Sequence, residues 1–63
     1  MNNDKMNKYE ITKYQWKKYR KVQRMGIINM NDIRTGAFLI DESIETYKTI
    51  VDNYSYLRSK FNN

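Results

Sequence analysis

Between Thr12 and Gly26 the chain carries a full set of helix start and stop signals, and nothing else in it constrains the fold as strongly. Thr12 and Gln15 are spaced as a capping box, in which the threonine hydroxyl takes a backbone N–H of the first turn and the glutamine amide reaches back to the cap. Ile11, just ahead of the cap, is placed to staple onto Trp16. Gly26 suits the left-handed conformation that closes a helix, with Ile27 beyond it positioned to touch Val22. These signals predict a helix over residues 13–25.

At 100° per residue, Lys13, Lys17, Arg20, Lys21 and Arg24 fall within an arc of about 100°, while Trp16, Tyr19 and Val22 take the opposite side. Lys18 lies on a flank with Tyr14 and Met25. The expectation is that Trp16 and Tyr19 enter the core, Trp16 against the third helix, and that the five cations form an outward basic stripe.

Two further helices follow from pattern. Asn29 suits the cap of a second one over about 30–40, in which Met30, Ile33, Ala37 and Ile40 share a face. Gly36 weakens it, since an internal glycine costs about 1 kcal/mol relative to alanine. Phe38 and Leu39 lie off that face. Ser43 is the preferred cap of the third helix, over about 44–61, with Glu45 near its positive end. There Tyr47, Ile50, Val51, Tyr54, Leu57 and Phe61 recur at helical spacing, Ile44 lies at the edge of the stripe, and Tyr56 points the other way. The expected architecture is all-α: a flexible basic arm over 1–10, then a compact three-helix domain over 11–63.

With 63 residues and neither histidine nor cysteine, the chain has room for one small domain and has no disulfide, thiol nucleophile or usual transition-metal ligand. Its carboxylates sit singly or at helix starts, where Asp41, Glu42 and Glu45 are accounted for by capping and the helix dipole. Asp32 and Asp41 lack the loop spacing of a calcium site, and Gly26 and Gly36 form no phosphate-cradling loop. No enzyme activity, metal or cofactor is expected. The first ten residues contain no apolar secretory segment, and no apolar run nears the roughly 18 residues of a membrane span. A cytoplasmic protein is expected.

The formal charge of +5 is concentrated at one end. Residues 1–28 hold eight lysines and arginines against two carboxylates, a net +6, whereas residues 29–63 hold four against five, a net −1. Such asymmetry suits an anionic partner. A helix with five cations along one side and Tyr14 at its margin could follow a phosphate backbone. Docking as a helix-turn-helix is disfavoured, because the inserted end would bring Asp41, Glu42 and Glu45 against phosphate. A membrane surface is a weaker partner, since the apolar side carrying Trp16 and Tyr19 is consumed by the fold.

The stretch from Tyr19 to Asp32, with Val22, Gly26, Asn29, Met30 and Asp32, followed later by Asn53 and Tyr54, resembles small uncharacterised proteins of bacteriophages and prophages. In that pattern a later helix ends near the Asn-Tyr pair, and the likeness runs from about Gln15 to Leu57. Asn31 stands where an aromatic is more usual, and Asp41 near a usual glycine. The resemblance implies a non-enzymatic accessory protein that binds and inhibits a host or anti-phage defence complex handling nucleic acid, as anti-CRISPR proteins do. The alternative is a small DNA- or RNA-binding regulator contacting phosphates through the first helix. For either, the expected binding residues are Lys13, Lys17, Arg20, Lys21 and Arg24, with Tyr14, Lys18, Phe38, Leu39 and Tyr56 as secondary contacts.

Overall fold

The structure, a computed structural model, describes residues 10–61. The expected arm lies outside these residues except for Glu10, as do Asn62 and Asn63 of the expected domain. The fold is all-α, with helices α1 (Lys13–Met25), α2 (Ile33–Leu39), α3 (Ile44–Asp52) and α4 (Tyr54–Phe61).

The start and stop signals of α1 act as their chemistry requires. Gln15 N–H donates to Thr12 Oγ1 at 3.1 Å, and Thr12 N–H donates to Gln15 Oε1 at 2.9 Å. Both Ile11 and Trp16 are buried in the core. Gly26 sits at φ 65° with its N–H on the Gln23 carbonyl. Ile27, however, is 59% exposed, and Ile28 is the residue that packs on the core.

The second helix is shorter than the expected 30–40 and begins at a different cap. Asn29 turns its side chain to the N–H of Asn31 at 2.9 Å, and its carbonyl takes the N–H of Asp32, so this residue builds a turn. Asp32 is the cap, accepting from Thr35 N–H. At the other end Asp41 adopts φ 56°. Its N–H reaches the Phe38 carbonyl at 3.1 Å while Glu42 N–H reaches that of Ala37 at 3.0 Å, the paired bonds of a Schellman motif. Asp41 therefore ends α2 rather than opening α3. Ser43 caps α3, accepting from Thr46 N–H at 3.0 Å.

The expected single helix over 44–61 is two helices. At Asn53 the backbone leaves helical geometry (φ −122°, ψ 28°), and its side-chain amide donates to the Thr49 carbonyl at 2.9 Å. Helix α4 resumes at once, with Leu57 N–H donating to the Asn53 carbonyl. The apolar stripe survives this break: Tyr47, Ile50 and Leu57 are buried, with Val51, Tyr54 and Phe61 packed beside them.

A connected cluster of aromatic rings runs through the core beside the buried aliphatic residues. Trp16 is fully buried, with ring centroids 5.8 Å from Tyr19, 5.4 Å from Tyr54 and 6.5 Å from Phe61. Tyr19 continues the cluster to Tyr47 at 5.5 Å. Each ring of this size removes a large apolar area from water. Helices α2 and α3 make the most extensive pairing. Their approach is possible because Gly36 is buried beneath the Tyr47 ring, whose hydroxyl donates to the Met30 carbonyl. The glycine that weakens α2 in isolation is what lets it dock.

Candidate partner-binding face on the first helix

Helix α1 carries six cations and no carboxylate, so the charge asymmetry of the sequence becomes an asymmetry of one surface. Lys13, Lys17, Lys21 and Arg24 are exposed. The three lysines recur every fourth residue, about 6 Å apart along the axis. Neighbouring cations repel, and an anionic partner relieves that repulsion.

Arg20 does not belong to this outward stripe. It lies about 40° from Trp16 around the helix, at the border of the apolar side. Its guanidinium stands 5.8 Å from the centres of both the Trp16 and Tyr54 rings and donates to Gln23 Oε1 at 2.6 Å and to the Tyr54 hydroxyl. Its Nε is buried. The fifth cation of the expected stripe thus also joins α1 to α4.

Lys18, expected only as a secondary contact, faces the turn between α2 and α3. Its Nζ lies 2.7 Å from Glu42 Oε2, while the other oxygen of Glu42 accepts from Gln15 Nε2 at 3.0 Å. The hydrogen bond to Glu42 holds the Lys18 ammonium above the usual lysine value, against a smaller opposing effect of desolvation. Through Gln15 the capping box of α1 is tied to that turn. Glu42, read from sequence as serving a helix start, instead serves this pair.

Between these cations lies a surface groove of about 500 Å³ lined by Tyr14, Lys17, Lys18, Lys21, Val22, Met25 and Leu39. Tyr14 is 70% exposed on its rim, with Lys18 Nζ 4.7 Å from the ring centre. The site is therefore rotated from the sequence-predicted stripe toward the Tyr14, Lys18 and Met25 flank. Leu39 reaches the groove from α2. Phe38, 80% exposed, and Tyr56, which has Lys60 Nζ 5.9 Å from its ring, are not among the residues lining it. Val22 and Met25 were not expected in a site, although the flank shared by Met25, Tyr14 and Lys18 was visible as a pattern.

Among the described residues no three histidine, cysteine or acidic side chains gather as a metal site would require. Among the described residues, the Tyr47 phenol is pushed up to about 12, first by burial. It stays protonated far above neutral pH and sits under α2 rather than in the groove. Among the described residues, no helix is long and apolar enough to cross a membrane. No protein-family model matches the chain, and no curated protein or solved structure matches it either. Fold and surface together describe a small all-α protein with one basic, partly apolar face.

Proposed function

We propose that this is a non-enzymatic binding protein that docks the α1 face on an acidic surface of another protein. Following the resemblance to small phage proteins, the partner is a host or anti-phage defence complex that handles nucleic acid, and occupation of its surface inhibits it in the cytoplasm. The observation that carries the reading is the mixed chemistry of the groove, where Lys17, Lys18 and Lys21 surround apolar surface of Val22, Met25 and Leu39. A phosphate backbone satisfies cations alone, whereas a protein surface offers carboxylates and apolar side chains together.

A second reading, a small DNA- or RNA-binding regulator, is favoured by one specific feature. The row Lys13, Lys17 and Lys21 runs beside an exposed aromatic, Tyr14, and single-strand binding combines a cationic track with a stacking ring. The two readings separate in a pull-down from bacterial lysate after nuclease treatment. Stoichiometric recovery of a protein is expected. Loss of every partner, together with tight binding to random strands whose log affinity falls steeply with log salt, would replace the leading reading with the second.

A further inference from the structure

We propose that the groove between α1 and Leu39 is an anchor subsite for a short acidic segment of the partner protein. Carboxylates meet Lys17 and Lys21, and one bulky apolar side chain between them enters over Val22, Met25 and Leu39. This inference rests on the leading functional reading and specifies the chemistry of its partner.

The cations around the groove are not equally free to bind. Lys18 is already matched by Glu42, at 2.7 Å, and that carboxylate is held on its other oxygen by Gln15. An incoming segment therefore finds Lys17 and Lys21, both exposed and one helical turn apart. The Lys18–Glu42 pair also shows how a carboxylate presented by a turn seats against this side of α1.

The apolar part of the lining sets the second requirement. Met25 is 49% exposed and Leu39 38% exposed, and both border the same groove, so burying them removes apolar surface from water. Methionine is unbranched and adapts to the shape of what it meets, which suits a pocket for one side chain drawn from several. Tyr14 adds a ring with a polar tip at the rim, a composition common where protein segments are captured. A volume of about 500 Å³ lies within the usual range of ligand-holding clefts, roughly 300–1,000 Å³. Charge complementarity rejects basic segments, and the apolar lining discriminates against segments of charge alone.

The test is selection from a display library of random short peptides on the immobilised full chain, followed by titration of the enriched peptides. The expected consensus holds at least two Asp or Glu residues around one bulky apolar residue. Affinity should fall about tenfold for Lys17→Gln/Lys21→Gln and again for Met25→Ser, with thermal melts showing that both variants fold. Leu39→Ser supplies a second apolar test from the other helix. Acidic peptides with no apolar preference would overturn the anchor subsite and leave the functional reading standing. Enriched peptides that bind every variant like the parent would overturn the site. Self-association of the chain, lost in Leu39→Ser, would assign the groove to a second copy and overturn the partner segment. No peptide enrichment, with tight salt-steep oligonucleotide binding, would overturn both this inference and the reading beneath it.

Discussion

The Tyr47 ring lies so close over Gly36 that a Cβ at position 36 would fall 2.2 Å from Tyr47 Cζ. Alanine is the better helix former by about 1 kcal/mol, yet the space it needs is occupied by a ring in the core. Gly36→Ala is therefore expected to destabilise the fold by about 1–3 kcal/mol, as overpacking does. Chemical denaturation measures this directly, and an unchanged or raised midpoint would contradict the close packing of α2 on α3.

Arg20 should behave unlike the lysines beside it. Removing its contacts with Trp16, Tyr54 and Gln23 by Arg20→Gln is expected to cost about 1–2 kcal/mol. Lys17→Gln and Lys21→Gln should each stay within about 0.5 kcal/mol of the parent. Thermal melts of the three variants check the ordering. Equal stability in all three would return Arg20 to the solvated stripe.

The same residue shows where sequence reasoning stops. Thr12, Gln15 and Gly26 act on neighbours within a few positions, so their roles are legible from local chemistry alone. Arg20 meets Tyr54, a residue of another helix, and no helical wheel of α1 contains that partner. Asn29 and Asp32 are both competent caps, and the choice falls to Asp32 because Asn29 spends its side chain on Asn31. The break at Asn53 left the apolar spacing intact on both sides, so periodicity could not reveal it. The four outward cations of α1, Lys13, Lys17, Lys21 and Arg24, were readable from its sequence. The groove was not, because Leu39 comes from α2 and Glu42 neutralises Lys18 from a distant turn.

Asp41 holds a left-handed conformation that glycine adopts without steric cost. Asp41→Gly should stabilise the chain by on the order of 1 kcal/mol, and Asp41→Val should destabilise it, because a β-branched side chain is strained there. Denaturation midpoints of the two variants should move in opposite directions. Movement in the same direction would contradict the Schellman closure of α2.

Alkaline pH should weaken the fold through its buried phenols. Burial pushes Tyr47 up to about 12 and raises Tyr19 as well, against an ordinary value of 10.0. Below pH 10 both folded and unfolded states keep these protons and the stabilisation is complete. Between roughly pH 10 and 12 the unfolded chain releases protons that the native state retains, so stability falls as pH rises. Tyr47→Phe should lose about 1 kcal/mol at neutral pH, because the Met30 carbonyl loses its donor, and should show a shallower decline above pH 10. A decline as steep as the parent's, followed by circular dichroism, would count against Tyr47 as a source of the effect.

The proposed function has the outward cations of α1 bind an acidic protein partner while the core stays indifferent to them. Its most direct test is Lys17→Gln/Lys21→Gln/Arg24→Gln, which spares Arg20, compared with the parent in quantitative pull-downs from nuclease-treated lysate and in thermal melts. The expected result is about tenfold lower recovery of the partner at a melting temperature close to the parent's. Undiminished recovery by a folded triple variant would contradict the claim and leave the basic face as solvated surface.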